Sequence, residues 1–577
     1  MLAKRNFFVT FLILAVFCMT SAGADTELQV GKSQDGALRM GKVDSYLLSL
    51  KSGDFVETNV VTYGTKLIII IYDPSGKQAR GFRFTGPGRK VAFVADDPGG
   101  YRLEVALDRK AKDGSYTITL TKIIELANRL SPPSVAERYV SLRIRTLRTA
   151  TDTGQASAVE HFWEEVNTKG APLIEPLEGD DKNMLVTFLW KGTAATKNVM
   201  VMWFPFTFQR PDDYRMTRLG ETDVWFRTLR IDKRKRFIYQ LALNAPPLRP
   251  SQDPPDEDTM SLLRSTVQVD PLNPKHWLID PESPEVPQHQ GVSVVEMPDA
   301  PTQPWVAERK GVPVGKIEKH QFNSALLKND REIAVYSPPG YSKDAKPYGL
   351  IILFDEKRYL DEKTIPTPRI IDNLIADNRI PPIVAILIDN APGDARAREL
   401  PCNPNFADFL NFELVPWVRR MYNVTVDPQR TVVGGSSYGG LAAAYAGFRH
   451  PETFGSILSQ SGSYWWTPPR SDKPDDFDPE AEPNWLAKQF ISSPRLPLRF
   501  YMDAGSDEID LSGRGSGILI PNRHLRDVLL AKGYEVHYQE FVGGHDYLSW
   551  RGTLGDGLIV LMGSTMESRQ QQSTVEH

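Results

Sequence analysis

Cysteine is almost absent from this chain: 2 of 577 residues, Cys18 and Cys402. That excludes a disulfide framework, and the 9 histidines show no Cys/His spacing of the kind that holds a structural zinc. An excess of charge of one sign is also missing. Lys plus Arg is 68 and Asp plus Glu is 72, a formal net charge of −4, so no wholesale basic face exists for nucleic acid. Beyond the N-terminus there is no apolar run near the ~20 residues that a spanning helix needs. What remains, 41% hydrophobic and 24% charged residues, is the composition of a globular protein and excludes collagen-like, disordered and multi-span membrane classes. At about 100–200 residues per domain, the length predicts three or four domains.

The N-terminus reads as an address. Lys4 and Arg5 precede an apolar run over residues 7–17, and Ala22-Gly23-Ala24 supplies small residues for cleavage. This is the order of a secretory signal, so residues 1–24 are expected to be removed and the protein to be periplasmic or secreted. No stable membrane span is expected after cleavage, and Cys402 would be the one cysteine left.

Residues 25–123 are expected to form a β-sandwich. Short β-branched or aromatic runs at 45–51, 55–62, 66–72, 90–95, 101–107 and 115–121 are punctuated by turns such as Asp73-Pro74-Ser75-Gly76 and Asp97-Pro98-Gly99-Gly100. The pattern and the Gly114-Ser115-Tyr116-Thr117 ending resemble the bacterial pre-peptidase C-terminal domain, a companion of secreted enzymes. Residues 124–155 read as a helical, basic connector. A second β-rich block is expected within 156–305, with strands at 185–190, 199–206, 222–229 and 237–243. Its proline-rich stretches, 246–255 and 281–304, are expected to be linkers or wrapping loops.

The grammar changes in 306–565. Strand-like runs at 332–336, 350–354, 383–388, 430–433, 456–458, 499–502 and 535–541 alternate with helix-like spans at 368–378, 405–421, 441–449 and 522–532. Alternation of this kind predicts an α/β domain with a mostly parallel, doubly wound sheet. A site is expected beyond the carboxyl ends of its strands. Residues 566–577 read as a disordered tail.

Within that domain, Gly435-Ser436-Ser437-Tyr438-Gly439 matches G-x-S-x-G between an apolar strand and an alanine-rich helix. A chain reversing so sharply requires glycine on both flanks, and the spacing selects Ser437 over Ser436 as the protruding hydroxyl. A serine needs a base to take its proton. Of the histidines that follow, His450 closes the nucleophile helix, His524 lies in a predicted helix, His537 in a strand and His577 at the terminus. His545, in the Gly543-Gly544-His545-Asp546 loop, is the expected base. The acid should fall between them after a strand end, where Asp503, Asp507, Glu508 and Asp510 compete. Glu508 is favoured, then Asp507. One oxyanion donor is expected from the backbone of Tyr438 and another from the loop around Asp355-Glu356-Lys357, with Glu356 at its centre.

Further segments extend the pattern: Phe162-Trp163, residues 170–176 and 186–190, Asp223-Val224-Trp225, residues 270–274, 398–403 and 458–466, and Trp550-Arg551-Gly552. Together with the elbow and the histidine loop, they resemble the enterochelin (enterobactin) esterase family over residues 160–565, including that family's own N-terminal domain. The resemblance implies an α/β-hydrolase fold behind a β-sandwich, with no cofactor or metal. It also implies hydrolysis of the seryl esters of a tri-catecholate trilactone siderophore, apo or ferric. The family's serine and histidine fall on Ser437 and His545, and its acid on Glu508. Its members are typically cytoplasmic, and they usually carry an Asp-Gly turn where this chain has Asp355-Glu356. For a catecholate substrate, Arg358 and Arg398 are expected to supply cations and Trp465 and Trp466 flat walls, with Asn403 beside them. Two other readings compete: a secreted acetyl or feruloyl carbohydrate esterase or acyltransferase, and a binding protein with a disused hydrolase domain. The oligomeric state is not legible.

Overall fold

The computed structural model describes residues 26–84, 88–109, 111–128, 141–155, 157–203, 206–248, 256–278, 287–471, 484–509 and 517–563. The expected signal at 1–24, the tail at 566–577, Asp510 and parts of the connector and proline-rich stretches lie outside these residues. The described residues fall into two compact units, one ending at Glu125 and the other beginning at Leu126.

The first unit is a β-sandwich. One sheet joins Thr26–Glu27, Val43–Leu50, Gly99–Leu107, Leu67–Tyr72 and Gln78–Arg83, and the other joins Ser33–Leu38, Gly114–Ile124, Phe55–Tyr63 and Gly88–Val94. Strict alternation in Leu67–Tyr72 and Gly99–Leu107 turns Leu67, Ile69, Ile71, Leu103 and Val105 inward onto Phe93 and Ile118. The strands Ser33–Leu38 and Gln78–Arg83 had no apolar run to betray them and form by pairing with stronger neighbours.

The second unit opens on helices, not strands: Leu142–Asp152 and Ala158–Lys169, the latter burying Phe162, Trp163 and Val166 on one stripe. Two antiparallel sheets follow. Asp180–Lys191 and Val224–Asp232 lead one, and Val199–Met202, Arg236–Leu243 and Gly291–Glu296 form most of the other. Val186 and Phe188 from the first meet Val201, Phe237, Tyr239 and Val295 from the second. The strand Gly291–Glu296 corrects the expectation that 281–304 is all loop. Its sequence, Gly-Val-Ser-Val-Val-Glu, is free of proline and β-branched, so it can add to Arg236–Leu243.

The rest of the unit is built on eight strands: β1 (Lys316–Ser324), β2 (Asn329–Ser337), β3 (Gly349–Phe354), β4 (Ile383–Ile388), β5 (Thr431–Ser436), β6 (Ser456–Gln460), β7 (Arg499–Gly505) and β8 (Glu535–Phe541). They lie in the order β1-β2-β4-β3-β5-β6-β7-β8, antiparallel at the β1–β2–β4 edge and parallel from β4 onward. β3 and β4 are buried along their whole length, as expected of apolar strands covered on both faces. Leu350, Ile352 and Phe354 face the helices Tyr438–Arg449 and Val415–Met421, whereas Ile351 and Leu353 face Thr367–Ala376 and Tyr547–Met562. Each such side chain contributes about 1.5–3 kcal/mol of burial. This is the α/β-hydrolase arrangement, with β5, β7 and β8 ending on one side. Among the described residues, no helix is long and apolar enough to cross a membrane.

Candidate active site

Ser437 stands between β5 and the helix Tyr438–Arg449 with φ 59° and ψ −121°. A positive φ at serine is strained and persists only when its surroundings impose it. Here they do. The Ser437 N–H donates to the Gln460 carbonyl at 2.9 Å, and its own carbonyl accepts from Ser463 N–H at 3.0 Å. Gly435 and Gly440 are required by space, since a Cβ on Gly435 would stand 3.0 Å from Gly439 Cα and one on Gly440 2.6 Å from Ser459 Oγ, whereas a Cβ on Gly439, the second flanking glycine, would meet only ordinary contacts from 3.6 Å outward. Ser436 is buried as the last residue of β5, while Ser437 is partly open.

His545 follows β8, and its Nδ1 lies 2.6 Å from Glu508 Oε1. A carboxylate can only accept, so the proton sits on Nδ1 and the lone pair on Nε2, the tautomer a general base needs. Glu508 Oε2 accepts the Gly505 N–H at 2.6 Å, which leaves the carboxylate little freedom to rotate. The imidazole also meets the Trp550 ring edge-on at 4.8 Å, and Asp546 caps the helix Tyr547–Met562 by accepting from Ser549 N–H at 2.9 Å. Burial pushes the Asp546 carboxyl up to about 7.

The structure thus brings Glu508 to His545 and turns its rivals elsewhere. Asp507 pairs with Lys235, and Asp503 is buried at the end of β7, where its Oδ1 accepts the Ser461 N–H at 3.0 Å. It does not join Ser437 to His545: among the described residues, the Ser437 hydroxyl bonds to Ser463 Oγ at 3.2 Å and to no histidine. In serine hydrolases without substrate this bond is often long and tightens on binding.

Burial, and then the Glu508 charge, push the Asp503 carboxyl up to about 8, with Thr553 and the Ser461 amide only partly offsetting them. A raised folded-state value means that the folded chain holds this proton after the unfolded chain has lost it, so its contribution to stability falls as pH rises from about 4 to about 8. Urea midpoints of wild type minus those of Asp503→Asn are therefore expected to decrease from about pH 5 to about pH 8. A difference that grows over this range would contradict the assignment.

For the oxyanion, Tyr438 begins a 12-residue helix, so its N–H belongs to the positive helix end. The loop after β3 lies against that helix, since a Cβ on Gly439 would be 3.6 Å from the Phe354 ring and 3.8 Å from Asp355 Oδ2. The left-handed residue is Asp355, with φ 59°, while Glu356 starts the short helix Glu356–Tyr359. Glu356 is accordingly unstrained, because the demanding backbone position is the aspartate before it. The Glu356 side chain is buried near Lys319, 3.4 Å away, and burial pushes its carboxyl up. Asp355 accepts from Arg396 Nε at 2.6 Å, Arg396 Nη2 at 2.8 Å and Asn390 Nδ2 at 2.6 Å. That clamp pins the loop.

Around the elbow the expected contacts divide. Trp465 packs on the Tyr438 ring at 6.1 Å, and the Arg358 guanidinium lies 5.7 Å from the Tyr547 ring, two residues from His545. Trp466 is core, edge-on to Trp485 at 5.8 Å. Asn403 caps the helix Pro404–Asp408, accepting from Asn405 N–H at 2.9 Å. Arg398 is an exposed partner of Asp394 at 2.9 Å. The arginine that reaches the site is Arg396, 5.9 Å from the Tyr438 ring. Residues two apart on a helix point to nearly opposite sides, so the expectation that Arg398 supplies the cation is corrected to Arg396. Ser463 and Lys235 were also missed, having no local motif. Among the described residues, no group of three or more His, Cys, Asp or Glu side chains could hold a metal.

Residues 324–561 match the esterase family, and residues 185–306 match the family described as enterochelin esterase, N-terminal. The chain is 30% identical over 443 residues to an iron(III) enterobactin esterase of Dickeya dadantii, covering 73% of this chain and 95% of that one. It is 29% identical over 432 residues to an iron(III) salmochelin esterase of Escherichia coli, covering 73% and 98%. The enterobactin esterase of Shigella flexneri, crystallised in the presence of enterobactin, superposes with a TM-score of 0.55 at 29% identity, covering 70% of this chain and 97% of that one.

Proposed function

The chain belongs to the enterobactin esterase family and is a carboxylic-ester hydrolase, and we propose that it cleaves the seryl esters of a catecholate trilactone siderophore, apo or ferric, through an acyl-enzyme on Ser437. In this reading Ser437 Oγ attacks the ester carbonyl while His545 Nε2 takes its proton, and Glu508 stabilises the imidazolium. The Tyr438 N–H and an N–H of the Asp355–Glu356 loop hold the tetrahedral oxyanion. The oxyanion collapses, the seryl alcohol leaves with the proton from His545, and a water deprotonated by the same nitrogen releases the acyl group.

The observation that carries the reading is the Glu508–His545 pair, 2.6 Å apart, on the same side of the sheet as a positive-φ serine. The substrate class is supported by what rims that serine: Arg358 and Arg396 with the rings of Tyr438, Trp465 and Tyr547. Guanidinium groups and aromatic faces together suit flat, anionic catecholates. Arg358→Met is expected to raise KM for the trilactone about tenfold, the worth of one charge-assisted contact, and to leave p-nitrophenyl acetate turnover nearly unchanged. Equal losses on both substrates would remove Arg358 from recognition.

A product assay on the mature protein, with apo and ferric trilactone side by side, tests the whole reading. Linear trimer, dimer and monomer of the catecholoyl serine are expected, and faster turnover of feruloylated or acetylated sugars would overturn it. The Lys4–Ala24 segment supports action outside the cytoplasm. Cell fractionation that finds the full-length chain in the cytoplasm would refute that part.

A further inference from the structure

The catalytic acid is held from outside the hydrolase sheet. Lys235 lies in the turn between the strands Val224–Asp232 and Arg236–Leu243 of the preceding β domain. Its backbone is fixed at both ends, donating to Asp232 O at 3.0 Å and accepting from Met297 N–H at 3.0 Å. Its ammonium reaches both carboxylate oxygens of Asp507, at 2.8 and 2.7 Å, a residue 272 positions further along the chain. The pair is largely buried, with side-chain exposures of 17% and 12%. The Trp203 and Phe206 rings flank the ammonium at 5.2 and 5.7 Å.

Asp507 is the residue before Glu508. Its N–H donates to Gly543 O at 2.9 Å and the neighbouring Ser506 N–H to Phe541 O at 2.8 Å, so the acid turn is tied directly to the segment that carries His545. The two lie so close that a Cβ on Gly505 would stand 2.5 Å from Gly543 O. A second route leaves the same β turn. Arg236, adjacent to Lys235, binds Glu296 at 2.8 Å, and Glu296 lies 3.4 Å from Arg551 on the helix that follows His545. Arg551 is bonded further to Gln303 at 2.6 Å and stacks on Trp277 at 5.3 Å. One β turn therefore grips the acid through Lys235 and the base's helix through Arg236.

We infer that the β domain directly preceding the hydrolase sheet, with strands from Leu173 to Glu296, is a positioning element for the Glu508–His545 pair, and that Lys235, through Asp507, is the residue that sets the acid's place. This rests on the reading of Glu508 and His545 as acid and base. Lys235 is a positioning residue, acting through Asp507. A lysine–carboxylate pair in a partly buried site is costly to break from one side, because the remaining charge is stranded. Here the stranded charge would be one residue from Glu508.

Kinetics per active site, counted by covalent labelling of Ser437 with a fluorophosphonate, test this on the full chain. Lys235→Met is expected to lower kcat for p-nitrophenyl acetate at least tenfold with KM within twofold, and Lys235→Arg to recover most of it. Asp507→Asn should match the lysine variant, and the double variant should lose no more than either single one, the signature of two residues acting as one unit. The pH profile separates positioning from mere stability. The charges around His545 are Glu508 and Asp503 from β7 and its turn, Asp546 and Arg551 at the following helix with Glu296 against Arg551, Arg358 of the short helix after β3 against Tyr547, and the Lys235–Asp507 pair. Removing only the cation should move the acid limb of kcat/KM to higher pH by about half a pH unit, and removing only the anion should move it to lower pH. Unchanged kcat per labelled site in Lys235→Met, or equal pH profiles in the two variants, overturns the inference. Where the lysine variant fails to fold, the Lys235→Met/Asp507→Asn double variant, free of the stranded charge, carries the same comparison. If His545→Ala keeps full activity, the acid–base reading itself fails; if His545→Ala is inactive while Lys235→Met is fully active, only this inference does.

Discussion

Ser437→Ala is expected to reduce kcat on any ester by about five orders of magnitude, leaving the residual catalysis that oxyanion donors and binding alone provide. The loss is chemical rather than structural. Alanine tolerates φ 59° no worse than serine does, and the hydroxyl it removes makes one long hydrogen bond, 3.2 Å to Ser463. Its folding cost is accordingly within about 1 kcal/mol. Stopped-flow turnover and thermal melting of the same preparation check both halves. Ser463 supplies the control: its hydroxyl is the nearest rival nucleophile, and Ser463→Ala is expected to cost less than about tenfold. If Ser463→Ala proves the inactive variant and Ser437→Ala the active one, the elbow has been misassigned.

The second large effect is expected at the acid. Glu508→Gln keeps the shape of the side chain but reverses the sense of its hydrogen bonds. The Gly505 N–H, 2.6 Å from Oε2, demands an acceptor, so the amide oxygen takes that place and the amide NH2 faces His545 Nδ1. The imidazole then carries its proton on Nε2, where the lone pair is needed. A wrong tautomer in an intact triad costs about 10^4 in kcat, and a loss of 10^3–10^4 is expected here. Asp503→Asn and Asp507→Asn should both fall far short of that. The loss should also be smallest at high pH, where hydroxide bypasses general-base catalysis. A Glu508→Gln enzyme within tenfold of wild type at neutral pH would shift the acid's role to another carboxylate.

The elbow that carries Ser437 was legible because it is a local event. Five residues contain both the glycines that let the chain reverse and the serine it exposes, and the flanking strand and helix announce themselves by composition. The fully buried β3 and β4 were legible for a similar reason, since an unbroken apolar run has few other places to go. β1, at the antiparallel edge, was not: Lys-Ile-Glu-Lys-His-Gln-Phe-Asn-Ser alternates too weakly to stand apart from a polar loop, and pairing with β2 makes it a strand.

The elbow serine, the histidine loop and the alternation of strands and helices could be read from residue order alone, because each is written in local spacing and composition. That Glu508 and not Asp507 meets the imidazole, that Arg396 and not the expected Arg398 turns inward, and what holds the acid's turn emerge only once the chain is folded. Asp503, Asp507 and Glu508 are nearly equivalent in composition, but the chain leaving β7 points them into the buried sheet end, toward Lys235 and toward His545 respectively. Direction is a property of the folded backbone. A contact between residues 272 positions apart has no local signature, because it forms only after both segments are already in place.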